Sequence, residues 1–207
     1  MITLVIGGSG SGKSEYAESL VLDVSAPDER YYIATMDNSG SEAKKRIRRH
    51  LALREGKGFV TVECSRNILT AVDSISSFGG GHKTEKASVL IEDLPNLLAN
   101  EMFPPPENNI INSDEESDND DSLQTAVPDN NRPVHQLIYI KVAEDVLNLC
   151  RKTGNAVIVS DNVFEDGMEY DEFTRQYAEY LGNINNRIAE AADNVIEVVA
   201  GIPVKIK

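Results

Sequence analysis

The feature that most constrains the fold of this chain is an octapeptide near its start, Gly7-Gly8-Ser9-Gly10-Ser11-Gly12-Lys13-Ser14. It fits the pattern Gly-x-x-x-x-Gly-Lys-Ser/Thr, and it stands between an apolar run at residues 2–6 and a segment of helical periodicity. Glycines let successive backbone N–H groups turn inward around a phosphate, and the following helix adds the positive end of its dipole. The octapeptide therefore predicts a phosphate-binding loop, residues 7–14, all of which would lie at a bound nucleotide.

Two residues at the end of this loop have predicted chemical roles. Lys13, which we expect to be an exposed charge, can bridge the β- and γ-phosphate oxygens of a triphosphate, and Ser14 can ligate Mg²⁺. An acidic residue at the end of a neighbouring strand usually completes such a magnesium site. Glu92 is the preferred candidate, followed by Asp93 and Glu63, although each of the three could instead cap the end of a strand.

Strand-like and helix-like segments alternate along the chain. Strands are predicted at residues 2–6, 31–34, 59–63, 87–91, 156–160, 195–199 and 204–206, and helices at residues 13–24, 41–55, 134–152 and 171–192. Strands separated by helices favour an α/β fold of the P-loop NTPase type, a mostly parallel sheet with helices on both faces. Because 207 residues suit one domain, we expect residues 1–207 to form a single one.

One acidic stretch interrupts the alternation. Residues 101–131 contain nine acidic side chains and no lysine or arginine, which accounts for most of the net charge of −14. Few apolar side chains and high like charge cannot offset the entropy of ordering, so we predict a disordered surface insertion at about residues 104–133. A partner-binding or metal-attracting loop is the alternative, but the stretch lacks the ligand spacing and glycine turn of a Ca²⁺ loop.

The remaining composition excludes several kinds of partner. An excess of acidic residues, 34 against 20 basic ones, argues against a nucleic-acid or anionic-membrane surface. No apolar run approaches the roughly 20 residues that span a bilayer. Cys64 and Cys150 have no metal-ligand spacing, so we expect no disulfide framework, no zinc site and a reducing cytoplasm. The predicted partners are therefore small molecules, with neither nucleic acid nor membrane among them.

The most basic stretch of this acidic protein is residues 44–54, within a predicted helix. Arg46, His50 and Arg54 are four residues apart, so a helix would place them on one stripe. The arginines could hold the anionic oxygens of a phosphate, and a neutral imidazole between them could attack phosphorus to form a phosphoramidate. The alternative, which the pattern alone favours, is a solvated basic face.

In this order, the residues resemble the bifunctional adenosylcobinamide kinase/adenosylcobinamide-phosphate guanylyltransferase family of cobalamin biosynthesis. The resemblance covers nearly the whole chain apart from the acidic insertion. The phosphate-binding loop is generic, and the specific part is the helix with Arg46, His50 and Arg54 that follows Ile33-Ala34-Thr35. Further matching residues are Ala17-Glu18, Tyr32, Glu42, Thr61, Glu63, Glu92, Asn100, Gly182, Asn185, Arg187, Asp193 and residues 201–205.

The resemblance implies two reactions. GTP or ATP phosphorylates the aminopropanol hydroxyl of adenosylcobinamide; GTP then transfers GMP to a histidine, and the cobinamide phosphate takes the GMP to give adenosylcobinamide-GDP. In this chain the guanylylated histidine would be His50. The resemblance also implies a homo-oligomer, a trimer. The site residues it implies are Lys13 beside His50 in catalysis, nucleotide contacts from Arg46, Arg54, Glu63 and Glu92, and Mg²⁺ at Ser14 and Glu92.

One loop departs from the family pattern. The family carries Asn-Glu-Val-Gly-x-Gly where this chain reads Asp161-Asn162-Val163-Phe164-Glu165-Asp166. The loop follows a predicted strand, at the sheet edge where substrates bind, and Phe164 cannot give the close backbone approach of a glycine. The nucleotide site is therefore predicted to be intact and the cobinamide side altered. The alternative function is a divergent P-loop nucleotide-binding protein with one half-reaction or a non-catalytic regulatory role.

Overall fold

The computed structural model describes residues 1–37, 54–78, 84–104, 132–162 and 170–207, with side chains of the helix at 132–151 described from residue 137 onward. Several predictions lie outside these residues. They are the basic helix before Arg54, including Arg46 and His50, the insertion at about 104–133 apart from its margins, and the altered loop from Val163 onward. What the sequence indicates for these segments stays a prediction.

Seven strands of the described chain form one sheet, and the sequence predicted each of them to within two residues at either end. The order across the sheet is β3-β2-β4-β5-β1-β6-β7. The strands are β1 (Ile2–Gly7), β2 (Arg30–Ala34), β3 (Val60–Glu63), β4 (Ser88–Glu92), β5 (Asn155–Asp161), β6 (Asn194–Val199) and β7 (Ile202–Lys205).

The prediction of a mostly parallel sheet is confirmed. All neighbouring pairs from β3 to β6 are parallel, and only β7 runs antiparallel to β6. The tight turn between these last two strands passes through Ala200 and Gly201, both with positive φ, of 49° and 80°. Because β1 lies between β5 and β6, it is an interior strand of the sheet. The loop that follows β1 therefore emerges at the carboxyl ends of the parallel strands, with neighbouring strands on both sides.

The described helices lie on both faces of the sheet, as predicted. Leu4 of β1 points into the larger core with the later helices, whereas its neighbour Val5 packs with Ala17 and Val21 of the first helix. This alternation follows from the two-residue period of a strand. The helices are α1 (Lys13–Val24), α2 (Thr70–Phe78), α3 (Leu94–Met102), α4 (Arg132–Arg151) and α5 (Glu172–Ala191). None of the described helices is long and apolar enough to cross a membrane.

Two of these helices, α2 and α3, were missed at the sequence level. Each has nine residues, which is short for periodicity to be recognised. A local signal for α3 was nevertheless available, because Asp93 is its N-cap and Pro95 lies in its first turn.

Candidate nucleotide-binding site

The phosphate-binding loop joins the buried end of β1 to the first turn of α1. Gly10 and Gly12 have φ of 71° and 89°, a conformation that favours glycine. A Cβ on Gly7 would lie 2.6 Å from the carbonyl oxygen of Val198 and 2.7 Å from Ser11 Oγ. No described side chain caps the N-terminus of α1, so its first N–H groups are available to an anion. The chain thus builds the concave backbone that the motif predicts.

Lys13 is buried, with 9% of its surface exposed, so the expectation of an exposed charge is wrong. Its ammonium group folds back over the loop and donates a hydrogen bond to the carbonyl of Gly8, at 3.2 Å. It also forms an ion pair with Asp161, with 2.7 Å between Nζ and Oδ1. The cation therefore lies between the loop and the end of β5, where it faces the place that a phosphate would occupy.

Ser14 and Glu92, the two predicted magnesium ligands, are in direct contact. Ser14 Oγ donates a hydrogen bond to Glu92 Oε1 over 2.5 Å. Burial raises the pKa of Glu92 to about 7, although the hydrogen bond from Ser14 and the charge of Lys13 act in the opposite direction. The second oxygen of Glu92, Oε2, is buried and has no hydrogen-bond partner among the described residues.

This arrangement fits a magnesium ion. A hydroxyl and a carboxylate are the oxygen ligands that Mg²⁺ takes in nucleotide sites, with phosphates and water supplying the others. The unsatisfied Oε2 of Glu92 is the kind of buried polar atom that a cation would complete. The described part of the chain contains no group of three or more His, Cys, Asp or Glu side chains suited to a metal. A site here would therefore depend on Ser14, Glu92 and the nucleotide.

The other two candidate acids lie differently. Asp93 caps α3, its Oδ1 accepting a hydrogen bond from the backbone N–H of Asn96 at 2.8 Å, which is the capping alternative considered for it. Glu63 is exposed at the end of β3, and β2, β4 and β5 separate its strand from β1. At about 4.8 Å per strand, this is roughly 19 Å across the sheet. The structure therefore does not bring Glu63 to the phosphate-binding loop.

Arg54 is the member of the basic stripe that the structure describes, and it is buried. Its guanidinium carbon lies 3.2 Å from the centroid of the Tyr32 ring, and 7% of the residue is exposed. Burial lowers the pKa of Arg54, while the charges of Tyr32, Glu18 and Glu92 favour its protonated form. The alternative interpretation of the basic stripe was a solvated face, and Arg54 does not fit it because the residue is buried.

Sequence reasoning assigned no role to Asp161, which belongs to the site, or to Glu18. Asp161 is the register partner of Gly7 and pairs with Lys13. Glu18, on α1, is buried and forms an ion pair with Lys57, with 2.5 Å between Oε2 and Nζ. An acid at the end of a strand was a usable signal for Asp161, but only the strand order places it beside the loop.

Comparisons with known proteins agree with these features. Residues 3–206 match the family model for cobinamide kinase / cobinamide phosphate guanyltransferase. The chain is 30% identical over 208 residues to the bifunctional adenosylcobalamin biosynthesis protein CobU of Salmonella typhimurium. It is 27% identical over 209 residues to the protein of the same name from Escherichia coli, and both alignments cover 100% of each chain. The ATPase domain of G40P matches 95% of this chain and 68% of its own with a TM-score of 0.47 and 10% identity, a likeness too weak to carry an argument.

Proposed function

Since the chain belongs to the cobinamide kinase / cobinamide phosphate guanyltransferase family, we propose that its phosphate-binding loop holds the triphosphate for both reactions. The chain is an enzyme, a cobinamide kinase and guanylyltransferase of adenosylcobalamin biosynthesis. One observation supports this placement of the nucleotide. Lys13 contacts the loop, and Ser14, at the end of the loop, contacts Glu92 at the carboxyl end of β4.

The nucleotide in this proposal is GTP or ATP, bound by residues 7–14. The backbone of the loop and the first turn of α1 surround the phosphates, and Lys13 contacts the β- and γ-phosphate oxygens. For this, the ammonium group has to exchange its ion pair with Asp161 for phosphate oxygens. Ser14 and Glu92 would hold Mg²⁺, which when bound neutralises charge on the phosphates.

In the first reaction the γ-phosphoryl group passes to the aminopropanol hydroxyl of adenosylcobinamide. Catalysis of this kind rests on positioning and on electrostatic stabilisation, because the loose transition state spreads its charge over the phosphoryl oxygens. Lys13, buried in the concave face of the loop, would stabilise that charge in a site from which water is partly excluded.

In the second reaction we propose His50 as the nucleophile. Its imidazole nitrogen attacks the α-phosphorus of GTP, a nitrogen–phosphorus bond forms, and pyrophosphate leaves with the electron pair of the broken bond. The cobinamide phosphate then takes the GMP and releases the histidine. Arg46 and Arg54, one turn away on either side in the predicted helix, are the proposed contacts of the phosphate oxygens. Arg46 and His50 lie outside the described residues, so this assignment rests on the sequence.

Intact-mass spectrometry after incubation with GTP and Mg²⁺ tests this second reaction. We expect one GMP per chain, through a link that is labile in acid and stable in base, as a phosphoramidate is. The change His50→Asn should abolish the adduct and leave GTP affinity, measured by calorimetry, unchanged. A wild-type protein that binds GTP and never carries GMP would contradict the role of His50 and leave a kinase or a non-catalytic nucleotide binder.

Lys13→Ala is the matched variant for the phosphate-binding loop. It should abolish triphosphate binding and with it both activities, whereas His50→Asn should remove one activity alone. Circular dichroism must show a folded variant, since Lys13 is buried and paired with Asp161. Unchanged triphosphate affinity in a folded Lys13→Ala protein would remove the nucleotide from this loop.

The assembly and compartment are also proposals. We propose a homo-oligomer, a trimer on the family resemblance, in a cytoplasmic setting. Cys64 and Cys150 are both buried and unpaired with each other, which suits a reducing compartment. Sedimentation equilibrium of the purified protein tests the first of these statements, and a monomer at micromolar concentration would contradict it.

A further inference from the structure

Asp161 carries a carboxylate to which the two reactions above give no role. It ends the buried strand β5, level with Gly7 at the start of the phosphate-binding loop. The backbone around it is fixed, because Asn162 N–H donates to the carbonyl of Gly7 at 3.3 Å and the Asn185 side chain donates to the carbonyl of Asp161 at 3.4 Å. A side chain on such a frame is held at a set distance from the loop.

The ion pair places this carboxylate next to the ammonium group that would contact the transferred phosphoryl group. Lys13 Nζ, which would contact the β- and γ-phosphate oxygens, lies 2.7 Å from Asp161 Oδ1. The lysine side chain is 11% exposed and that of Asp161 is 31% exposed. The Asp161 side chain is therefore the more exposed member of the pair, although its Oδ1 is buried against the ammonium group.

The other acids near the loop already have roles, Glu92 as a proposed magnesium ligand and Asp93 as the N-cap of α3. Glu92 accepts the hydroxyl of Ser14, and Asp93 accepts the backbone N–H of Asn96 at the start of α3. Among the described carboxylates near the loop, Asp161 is the one whose contact with Lys13 a nucleotide would disrupt. It is thus the carboxylate that binding of a triphosphate releases for another task.

The negative charges of the Asp161 carboxylate and of the γ-phosphate limit the role that Asp161 can have once a triphosphate is bound. A carboxylate beside a γ-phosphate is repelled by it unless a cation or a group that carries a proton lies between them. The acceptor hydroxyl of the phosphoryl-transfer reaction is such a group, since it can donate its proton to the carboxylate while its oxygen faces the phosphorus.

We infer that Asp161 is the general base of the kinase reaction, an inference that rests on the proposed function. The hydroxyl oxygen attacks the γ-phosphorus and a new oxygen–phosphorus bond forms. The bond from that phosphorus to the β–γ bridging oxygen breaks, and its electron pair stays on the departing nucleoside diphosphate. The hydroxyl proton passes to the Asp161 carboxylate, which later loses it to water.

The test compares Asp161→Asn, Asp161→Glu and Asp145→Asn. Asp145 forms an Asp–Lys ion pair with Lys141 on α4, at 2.9 Å and away from the loop, so it is the matched control. Three quantities are measured in each full-length protein: kcat for phosphorylation of adenosylcobinamide, the Kd of GTP, and the yield of the GMP adduct. Asp161→Asn should lower kcat about 100-fold or more, the size of general-base effects. GTP should bind at least as tightly and the adduct should form as in wild type.

Asp161→Glu should recover part of the lost kcat, because it restores a carboxylate, and Asp145→Asn should equal wild type. Wild-type kcat in Asp161→Asn overturns the inference and leaves the proposed function standing. Parallel losses of kcat, GTP affinity and adduct would show that Asp161 only maintains the site, which also overturns it. A wild-type protein that forms the adduct and phosphorylates nothing removes the proposed kinase role of the loop, and the inference falls with it.

Discussion

The guanidinium group of Arg54 lies over the ring of Tyr32, with its Cζ 3.2 Å from the ring centroid. Tyr32 belongs to the central part of β2 and is supported edge-on by Phe59, with ring centroids 6.3 Å apart. Arg54 is the last arginine of the predicted stripe, one helical turn after His50. The contact therefore fixes the end of the predicted helix to the sheet, and to reach a phosphate Arg54 would have to give it up.

We predict that Arg54→Ala lowers the free energy of unfolding by about 2 kcal/mol. A desolvated cation–π contact accounts for up to about that amount, and the buried arginine stem adds packing. The matched control is Arg151→Ala, at the exposed end of α4, which should stay within about 0.5 kcal/mol of wild type. Urea denaturation measures both, and equal effects of the two changes would show that the contact with Tyr32 contributes nothing.

Alanine substitutions at the neighbouring residues Gly7 and Gly8 test how tightly the phosphate-binding loop is packed. Alanine at Gly7 would place its Cβ 2.6 Å from the Val198 carbonyl oxygen, whereas a Cβ on Gly8 meets nothing within 4 Å. We expect Gly7→Ala to lower the free energy of unfolding by about 1–3 kcal/mol, the usual cost of forced overpacking. Gly8→Ala should leave it nearly unchanged. Thermal melts of the two variants distinguish them, and equal melting temperatures would contradict this account of the loop.

The pKa of Glu92 predicts how stability varies with pH in metal-free protein. Burial raises this pKa from 4.5 to about 7, so the folded state binds the proton more tightly than the unfolded state. The stabilisation is fully present below about pH 4.5 and is lost as the pH rises to about 7. We expect the free energy of unfolding to fall over this window, by on the order of 3 kcal/mol for this group.

Glu92→Gln should reduce that slope, because glutamine does not titrate. Burial also raises the pKa of Asp93, so part of the slope should remain. Glu190→Gln, at an exposed position of α5, is the control and should follow wild type. Urea denaturation between pH 5 and 8 gives the slopes, and identical slopes in all three proteins would mean that Glu92 is not protonated near neutral pH.

Local pattern predicted most of the fold. The seven strands have continuous apolar or alternating runs, and the loop at residues 7–14 combines a motif with a strand and a helix, so each could be identified from neighbours in sequence. The contact between Ser14 and Glu92 was also anticipated, because Glu92 ends β4 and the loop that leads to Ser14 follows the carboxyl end of the parallel strand β1. These features depend on short-range sequence and on one rule of sheet topology.

Two features of the site that spacing did not predict, the burial of Lys13 and the distance of Glu63 from the loop, have a common physical origin in strand order. Lys13 is buried because β5 lies beside β1 and presents Asp161 to its ammonium group. Glu63 is distant from the phosphate-binding loop because β3 is an edge strand, separated from β1 by three other strands. Neither fact can be read from spacing along the chain, since both depend on which strands become neighbours.

The altered loop gives the last prediction. Phe164 stands where the family has a glycine, at the carboxyl side of β5 and three residues after Asp161, although it lies outside the described residues. We predict that the wild-type chain phosphorylates adenosylcobinamide weakly relative to its affinity for nucleotide, and that Phe164→Gly raises kcat about 10-fold or more. The reason is steric: a side chain between backbone and substrate displaces the reacting hydroxyl, and a displacement of about 1 Å can cost 100-fold in rate.

Phe78→Gly, at the exposed end of α2, is the control for removing an aromatic ring and should leave kcat unchanged. The Kd of GTP should be the same in all three proteins, because the loop at residues 7–14 is untouched. Steady-state assays with saturating nucleotide measure kcat, and calorimetry measures the Kd. If Phe164→Gly phosphorylates no faster than wild type, Phe164 does not obstruct the acceptor, and this departure from the family pattern has no effect on the kinase reaction.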